Sequence, residues 1–440
     1  MEKSKAVLIA TTVLIAMGAT VGCGNASGGG KSNGKITLTI SEWTNPPAIA
    51  ATKKLDKEFE KAHPNVTINL VDAPTSGSAW TTLTNTEMKA HNVDVMAQYS
   101  ISGQVPQSYM TGLQPSTLEE WIDAGDIKDL TNEPFMKKDF LPGIQQQMMG
   151  YKGKIWGATM ASYGRGGVFY NEALFKKYNL SIPTTYSQLL NVCKVFAAHG
   201  ITPLMVGAKD GWDQMITEDA IQQMIPHSDA DALNKSLWTG KTTWSSDPVF
   251  KTAMTEYQQL SQYFEPNAFG EPYAPTPGLF ANGKAAMLVD GTWDGLSIEQ
   301  ANPKLKFSWF PLPMTQDPAK NQMQVAGDFT WVIPTKAPHA ALALDYVKFF
   351  SEPAHYKQWE NMVGAIPTEK MSTVNLPWMK TELQYSPKSE QEFHIFQPTA
   401  ATGSLLYFPN DTAYLKPQGQ YSLADLLSKS TQEWLAAVHH

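Results

Sequence analysis

The chain carries 13 tryptophans, 16 tyrosines and 18 phenylalanines in 440 residues, so aromatic faces are its most conspicuous chemical resource. An indole or phenol ring offers a flat apolar face and one polar handle. Such faces suit the apolar C–H faces of pyranose rings, and a few convergent polar groups beside them would hold the hydroxyls. Ligands of open α/β sheets bind beyond the carboxyl ends of strands, so residues just past strand-like runs are the candidates. Trp43 and Thr44 follow one such run, and Gln98, Tyr99 and Ser100 follow another. Trp212, with Asp210 just before it, follows a third, and Asp290 and Trp293 follow a fourth. Asp328, in Gly327-Asp328-Phe329, is a candidate acceptor of ligand hydroxyls. Each has a plainer reading: Trp43 as a core ring, Asp290 as a helix N-cap. Trp80, Trp121, Trp156, Trp238, Trp244, Trp309, Trp359 and Trp434 read as core or surface, and Trp331 and Trp378 fit either role.

Covalent chemistry has little support. A glycosidase needs two carboxylates across a scissile bond. Glu119 and Glu120 are adjacent on a helical stretch, cannot face one substrate, and read as a solvated edge. No GxSxG, HExxH or Walker loop occurs, and no cofactor or metal is expected. Two cysteines exclude a disulfide scaffold and a cysteine-based zinc module. Cys193, on the apolar stretch 187–199, reads as a small core residue. With 34 basic and 41 acidic residues the net charge is −7, and no basic block is present, so nucleic acid is not an expected partner. A chain 42% hydrophobic and only 17% charged is not a disordered one.

The elements that must position these residues alternate between β and α. Residues 36–40 (ITLTI) show period-2 patterning, 48–63 read as a helix stopped by Pro64, and 66–71 (VTINLV) form a second strand. Strand, helix, strand in so short a span favours a parallel sheet. Residues 93–97, 201–206, 285–289 and 325–333 are further strand candidates. Helices are expected at 171–178, from 183 to His199 with Gly200 as C-cap, at 248–264 and at 340–350. The fold class is therefore α/β.

The first residues have a different character. Lys3 and Lys5 precede a 12-residue apolar run, Ala6 to Met17, which is too short to span a bilayer and has the form of an export signal. Thr20-Val21-Gly22-Cys23 resembles the bacterial lipobox, which implies a signal peptide over 1–22 and lipidation (palmitate or a similar acyl chain) of Cys23. Threonine stands where that motif usually has leucine. Loss of Glu2, Lys3 and Lys5 would leave 32 basic and 40 acidic residues, or −8. Residues 24–35 (GNASGGGKSNGK) are a flexible tether. The final His439-His440 is either native or a remnant of expression.

Five further segments resemble the extracellular solute-binding proteins of sugar ABC transporters, the maltose-binding-protein-like family. They are Tyr170 to Phe175 (YNEALF) followed by Ile182 to Tyr186 (IPTTY); His199 to Leu204 (HGITPL); Phe280 to Met287 (FANGKAAM) with Gly291 and Trp293 behind; Trp331 to Pro334 with 343–350; and Gly364 to Pro367 (GAIP). They occur in the family's order between residues 170 and 367. The resemblance implies a type II-like periplasmic-binding-protein fold with two discontinuous lobes joined by hinge segments. Crossings are expected near Ala158–Thr159, Pro311–Pro313 and Ile366–Pro367, which gives lobe one as 36–158 plus 324–366 and lobe two as 159–323 plus 367–440. It also implies ligand contacts at Tyr163, just past the first crossing, with Arg165 nearby, and ring stacking at Trp293. The implied partners are a carbohydrate ligand, ABC permease subunits, and the membrane through the lipid anchor; the protein itself is expected to be a monomer outside the cytoplasm. Two other readings stay open: a secreted carbohydrate-active enzyme, and a binding protein of this fold for a non-sugar solute such as a peptide or polyamine.

Overall fold

The computed structural model describes residues 34–75, 78–101, 106–113, 115–370, 376–398, 412–416 and 419–438. Cys23, the export signal, most of the tether and His439-His440 lie outside the described residues. From Ile36 onward the chain forms one compact unit containing two larger sheets.

The strands in chain order are β1 (Ile36–Trp43), β2 (Val66–Ala73), β3 (Val95–Gln98), β4 (Gly150–Tyr151), β5 (Lys154–Ile155), β6 (Ala158–Arg165), β7 (Gly167–Asn171), β8 (Leu204–Met205), β9 (Met287–Asp290), β10 (Phe307–Pro311), β11 (Gln324–Val332), β12 (Ile366–Pro367) and β13 (Glu390–Gln391). The larger sheet has the order β12-β6-β11-β3-β1-β2, with β13 on β11. The smaller has the order β10-β7-β9-β8, and β4 and β5 form a separate hairpin. This is the expected two-lobe α/β architecture.

The first βαβ unit shows how sequence becomes position. Asn45 caps the helix Pro46–Ala62 by accepting the Ala48 N–H at 3.1 Å, and two prolines sit in its first turn, where no donor is missed. Ala48, Ala51, Leu55 and Phe59 share one face and are fully buried. β1 and β2 then pair in parallel from Ile36 opposite Val66 to Trp43 opposite Ala73, which fixes Trp43 at a strand end.

Several boundaries differ from expectation. The strand expected over 201–206 shrinks to Leu204–Met205. Pro203 has no N–H to donate, so that flank only accepts, through its carbonyl, from Met287 N. Glu119 is buried rather than solvated, because it closes a capping box with Ser116 at the start of the helix Thr117–Asp123.

The first crossing also falls elsewhere. Ala158 and Thr159 are paired with Trp331 and Thr330 inside the larger sheet, and that strand continues to Arg165 opposite Gln324. The next strand, β7, begins at Gly167 in the smaller sheet, so a single residue, Gly166, separates the two sheets along the chain. Its φ of +59° lies in the left-handed region, and a Cβ there would overlap the Asp219 carboxylate, so glycine is required on both counts. The chain leaves the smaller sheet after Pro311 and re-enters the larger at Gln324. β13, in a stretch expected to belong to the second lobe, pairs with β11 of the larger sheet.

Candidate functional site

The helix N-terminal loops beyond the smaller sheet assemble an aromatic trio. Trp212 stacks on Tyr273 with centroids 5.2 Å apart and planes at 27°, and Trp293 lies 5.9 Å from Trp212. All three rings are only partly buried. Trp293 sits in the turn Thr292–Asp294 that follows β9, as its place after a strand suggests. Its indole N–H donates to the Tyr273 oxygen at 2.6 Å, and that oxygen also lies 2.6 Å from Asp290 Oδ1 and 2.8 Å from Asp294 Oδ2. Tyr273 is held from its backbone too, its N–H donating to Asp210 Oδ2 at 3.0 Å. Asp290 is completely buried, and burial pushes its carboxyl well above the usual range, with Asp294 adding to the effect. It therefore acts beneath the rings rather than at an open surface.

A second aromatic group lies at the ends of β1, β3 and β11. Trp43 is 5% exposed, walled in by Trp80 edge-on at 5.7 Å, by Phe329 at 4.5 Å and by Tyr99 stacked at 4.6 Å. The open face belongs to Tyr99, which is 44% exposed. Trp43 is thus a core ring in this arrangement, and Tyr99 covers it. Thr44 is exposed and donates to Asp72 at 2.6 Å, while Gln98 is buried with its amide at Met96 Sδ, so neither joins the rings. Ser100 lies beside the stretch of β11 that carries Asp328, its N–H donating to Gly327 O at 3.3 Å. Asp328 accepts the Phe329 N–H at 2.8 Å, and burial pushes its carboxyl up to about 7. Phe329 has a φ of +44°, a strained conformation for a non-glycine residue.

Between the two groups run the last residues of β6. Tyr163 is 1% exposed and meets Trp293 edge-on at 6.2 Å, and among the described residues its hydroxyl has no hydrogen-bond partner. Opposite it in β11 is Ala326, two residues before Asp328. Arg165 is not free to grip a ligand: Nη1 pairs with Glu392 at 2.8 Å and Nη2 with Glu218 at 2.9 Å. Burial raises Glu218 against the pull of Arg165, and raises the adjacent Asp219 well above the carboxylate range.

Of the residues singled out in the sequence, the structure unites Trp212, Asp290 and Trp293, places Tyr163 against Trp293, and sets Ser100 beside Asp328. It buries Trp43 and Gln98, leaves Thr44 exposed on Asp72 away from the rings, and occupies Arg165 with ion pairs. Sequence reasoning missed Tyr273 and Asp294. Tyr273 lies in the Pro/Gly-rich loop 265–275, after no strand, so the strand-end rule could not find it. Among the described residues no group of three or more His, Cys, Asp or Glu could hold a metal, and no helix is long and apolar enough to cross a membrane. A groove of about 390 Å³ between the helices Tyr186–Ala198 and Pro248–Leu260, lined by Tyr186, Lys251 and Gln259 among others, shares no residue with these rings.

Partly open rings thus stand beside the strand ends of both sheets, the place where ligands of α/β folds bind. The sequence pattern of the bacterial extracellular solute-binding proteins matches residues 43–357, and the chain belongs to that family. It is similar to the multiple sugar-binding protein of Streptococcus mutans, with 24% identity over 337 residues and 74% of each chain covered. It is also similar to the melibiose/raffinose/stachyose-binding protein MelE of Bacillus subtilis, 21% identical over 406 residues, covering 90% of this chain and 87% of that one. Among solved structures, a chitin oligosaccharide binding protein superposes with a TM-score of 0.71 at 20% identity, covering 92% of this chain and 99% of that one. RafE in complex with raffinose superposes with a TM-score of 0.67 at 18% identity, covering 91% and 98%. The family and these relatives are binding proteins.

Proposed function

We propose that this protein is the receptor of a carbohydrate ABC importer: it captures a sugar of two or more rings between its lobes and delivers it to the membrane permease. The observation that carries this reading is the partly open trio Trp212, Tyr273 and Trp293, backed by carboxylates. Tyr163, Tyr99, Ser100 and Asp328 are the candidate contacts from the other side. Binding needs no chemistry; a ligand that touches both lobes favours their closed arrangement by its differential affinity. We take the lobes to meet at Gly166, at 312–323 and after Pro367, with β13 on the first lobe. The lipobox-like Cys23 would tether the monomer outside the cytoplasm, two or more acyl chains sufficing for stable anchoring.

A glycan panel read by thermal unfolding tests the reading. A specific sugar at a hundred times its dissociation constant should stabilise the protein by about 2.7 kcal/mol. A panel without response, together with stabilisation by a peptide or polyamine, would replace the sugar with another solute. Release of product from a chromogenic glycoside would make the protein an enzyme. For the anchor, Cys23→Ser should move the protein from the membrane fraction to the medium, and a variant still extracted only by detergent would refute lipidation at that residue.

A further inference from the structure

The Tyr273 oxygen has more neighbours than its one hydrogen can serve. Trp293 Nε1–H approaches it at 2.6 Å and can only donate. Asp290 Oδ1 at 2.6 Å and Asp294 Oδ2 at 2.8 Å both lie at hydrogen-bond distance. The phenol can donate to one of them. The other oxygen then faces a phenol oxygen with no hydrogen left, and the contact is attractive only if that carboxyl brings its own proton. Asp290 and Asp294 therefore hold one proton between them, a property of the pair rather than of either residue.

The surroundings agree. Neither carboxylate forms an ion pair with Lys, Arg or His among the described residues. Asp290 Oδ1 accepts the Gly291 N–H at 2.8 Å, while its Oδ2 is buried without a partner among the described residues. The titratable groups facing the unit from neighbouring segments are Asp210, on the Tyr273 N–H, and Tyr163, against Trp293, itself under the influence of Asp328 and Glu382. None is cationic, so nothing replaces the proton once it leaves. Burial pushes both carboxyls above the ordinary range, and the charge of Asp294 raises Asp290 further, in keeping with the count of hydrogens.

We propose that Tyr273, held by the singly protonated Asp290–Asp294 pair, is the positioning residue of the aromatic trio: it fixes Trp293 through the indole N–H and Trp212 through ring stacking, and loss of the shared proton releases both. The inference rests on the reading of these rings as the sugar-stacking face. It predicts a ligand site that loosens in alkaline solution although the ligand itself does not titrate.

The first arm of the test needs no ligand. Tryptophan emission of the mature protein, followed from pH 5 to pH 10, should show a reversible transition above the ordinary carboxylate range. Asp294→Asn should abolish that component, because an amide supplies an N–H at every pH; Asp290→Asn serves if the first variant does not fold. A transition unchanged in the folded Asn variants would overturn the shared proton. In the second arm raffinose and maltose are the probes. Wild-type affinity for whichever binds should fall about tenfold or more across the transition, Asp294→Asn should be flat with pH, and Tyr273→Phe should be weaker at all pH by about tenfold. Full affinity in Tyr273→Phe with an unchanged pH profile would overturn the positioning role. If neither sugar binds the wild type, the emission arm alone decides the proton, and the glycan panel decides the sugar reading.

Discussion

Trp43 and Trp293 sit in equivalent places, each at the exit of a parallel-paired strand, yet the molecule uses them differently. Trp43 is enclosed by Trp80, Phe329 and Tyr99 and held by apolar packing. Trp293 keeps part of its ring open and is held by a hydrogen bond from its nitrogen to Tyr273, itself tied to two carboxylates. A ring anchored through its polar edge can leave its face unfilled, whereas a ring anchored by packing cannot. The kind of anchor, more than the position after a strand, separates a platform from a core.

The largest expected effect is on the packed member. Trp43→Ala should cost about 3–5 kcal/mol of folding stability, read by urea unfolding, as for other buried large-to-small changes. A loss of ligand affinity with stability intact would reverse the comparison and make Trp43 the platform. Next comes Trp293→Ala, which should weaken sugar binding by about 2 kcal/mol or more by titration calorimetry. Its unliganded unfolding should change far less than that of Trp43→Ala; a crippled apo protein would show that both rings are core.

Tyr99→Ala sharpens the contrast. If the open face over Trp43 touches ligand, affinity should drop by about 1 kcal/mol, the scale of one modest aromatic contact. Unchanged affinity would leave the smaller-sheet trio as the sole stacking surface. The smallest effect concerns pH. The larger-sheet lobe buries Glu42, raised by burial to about 8, and Glu360, likewise to about 8. Both folded values exceed the unfolded ones, so their contribution is fully present below the unfolded pKa and is lost as pH rises through about 8. The melting temperature should therefore fall between pH 6 and pH 8, and Glu42→Gln should flatten the underlying slope of stability by an amount of order 1 kcal/mol per pH unit. An unaltered slope would mean that Glu42 ionises without cost.

The sequence made part of this legible. Strand, helix and strand over 36–73 were readable because Leu55 and Phe59 share a helical face and Pro64 ends the helix. The helix Ala340–Phe350 is found at the expected limits. Asp290 and Trp293 were reachable through the strand before them. Tyr273 was not, since what brings it to Trp293 is the pairing of two loops, Lys209 N–H to Glu271 O and Tyr273 N–H to Asp210, which no periodicity records. The burial of Trp43 depends on Phe329, from a strand far along the chain, and the occupation of Arg165 depends on Glu218 and Glu392, equally remote.

Gly166 has a mechanical consequence. The end of β6 and the start of β7 are separate rods welded to different sheets with one residue as the joint. Such a joint transmits tension and compression but yields to turning, so the closure proposed above would be a rotation at this crossing, with an arc that grows with distance from Gly166. Tyr163 and Arg165, within three residues of the pivot, sweep almost nothing. Under the proposed closure, contacts near the joint would be in place before a ligand arrives, while those farther out along the lever would travel to meet it. Selectivity for what enters and completion of the grip would then be assigned to different radii of one turning body.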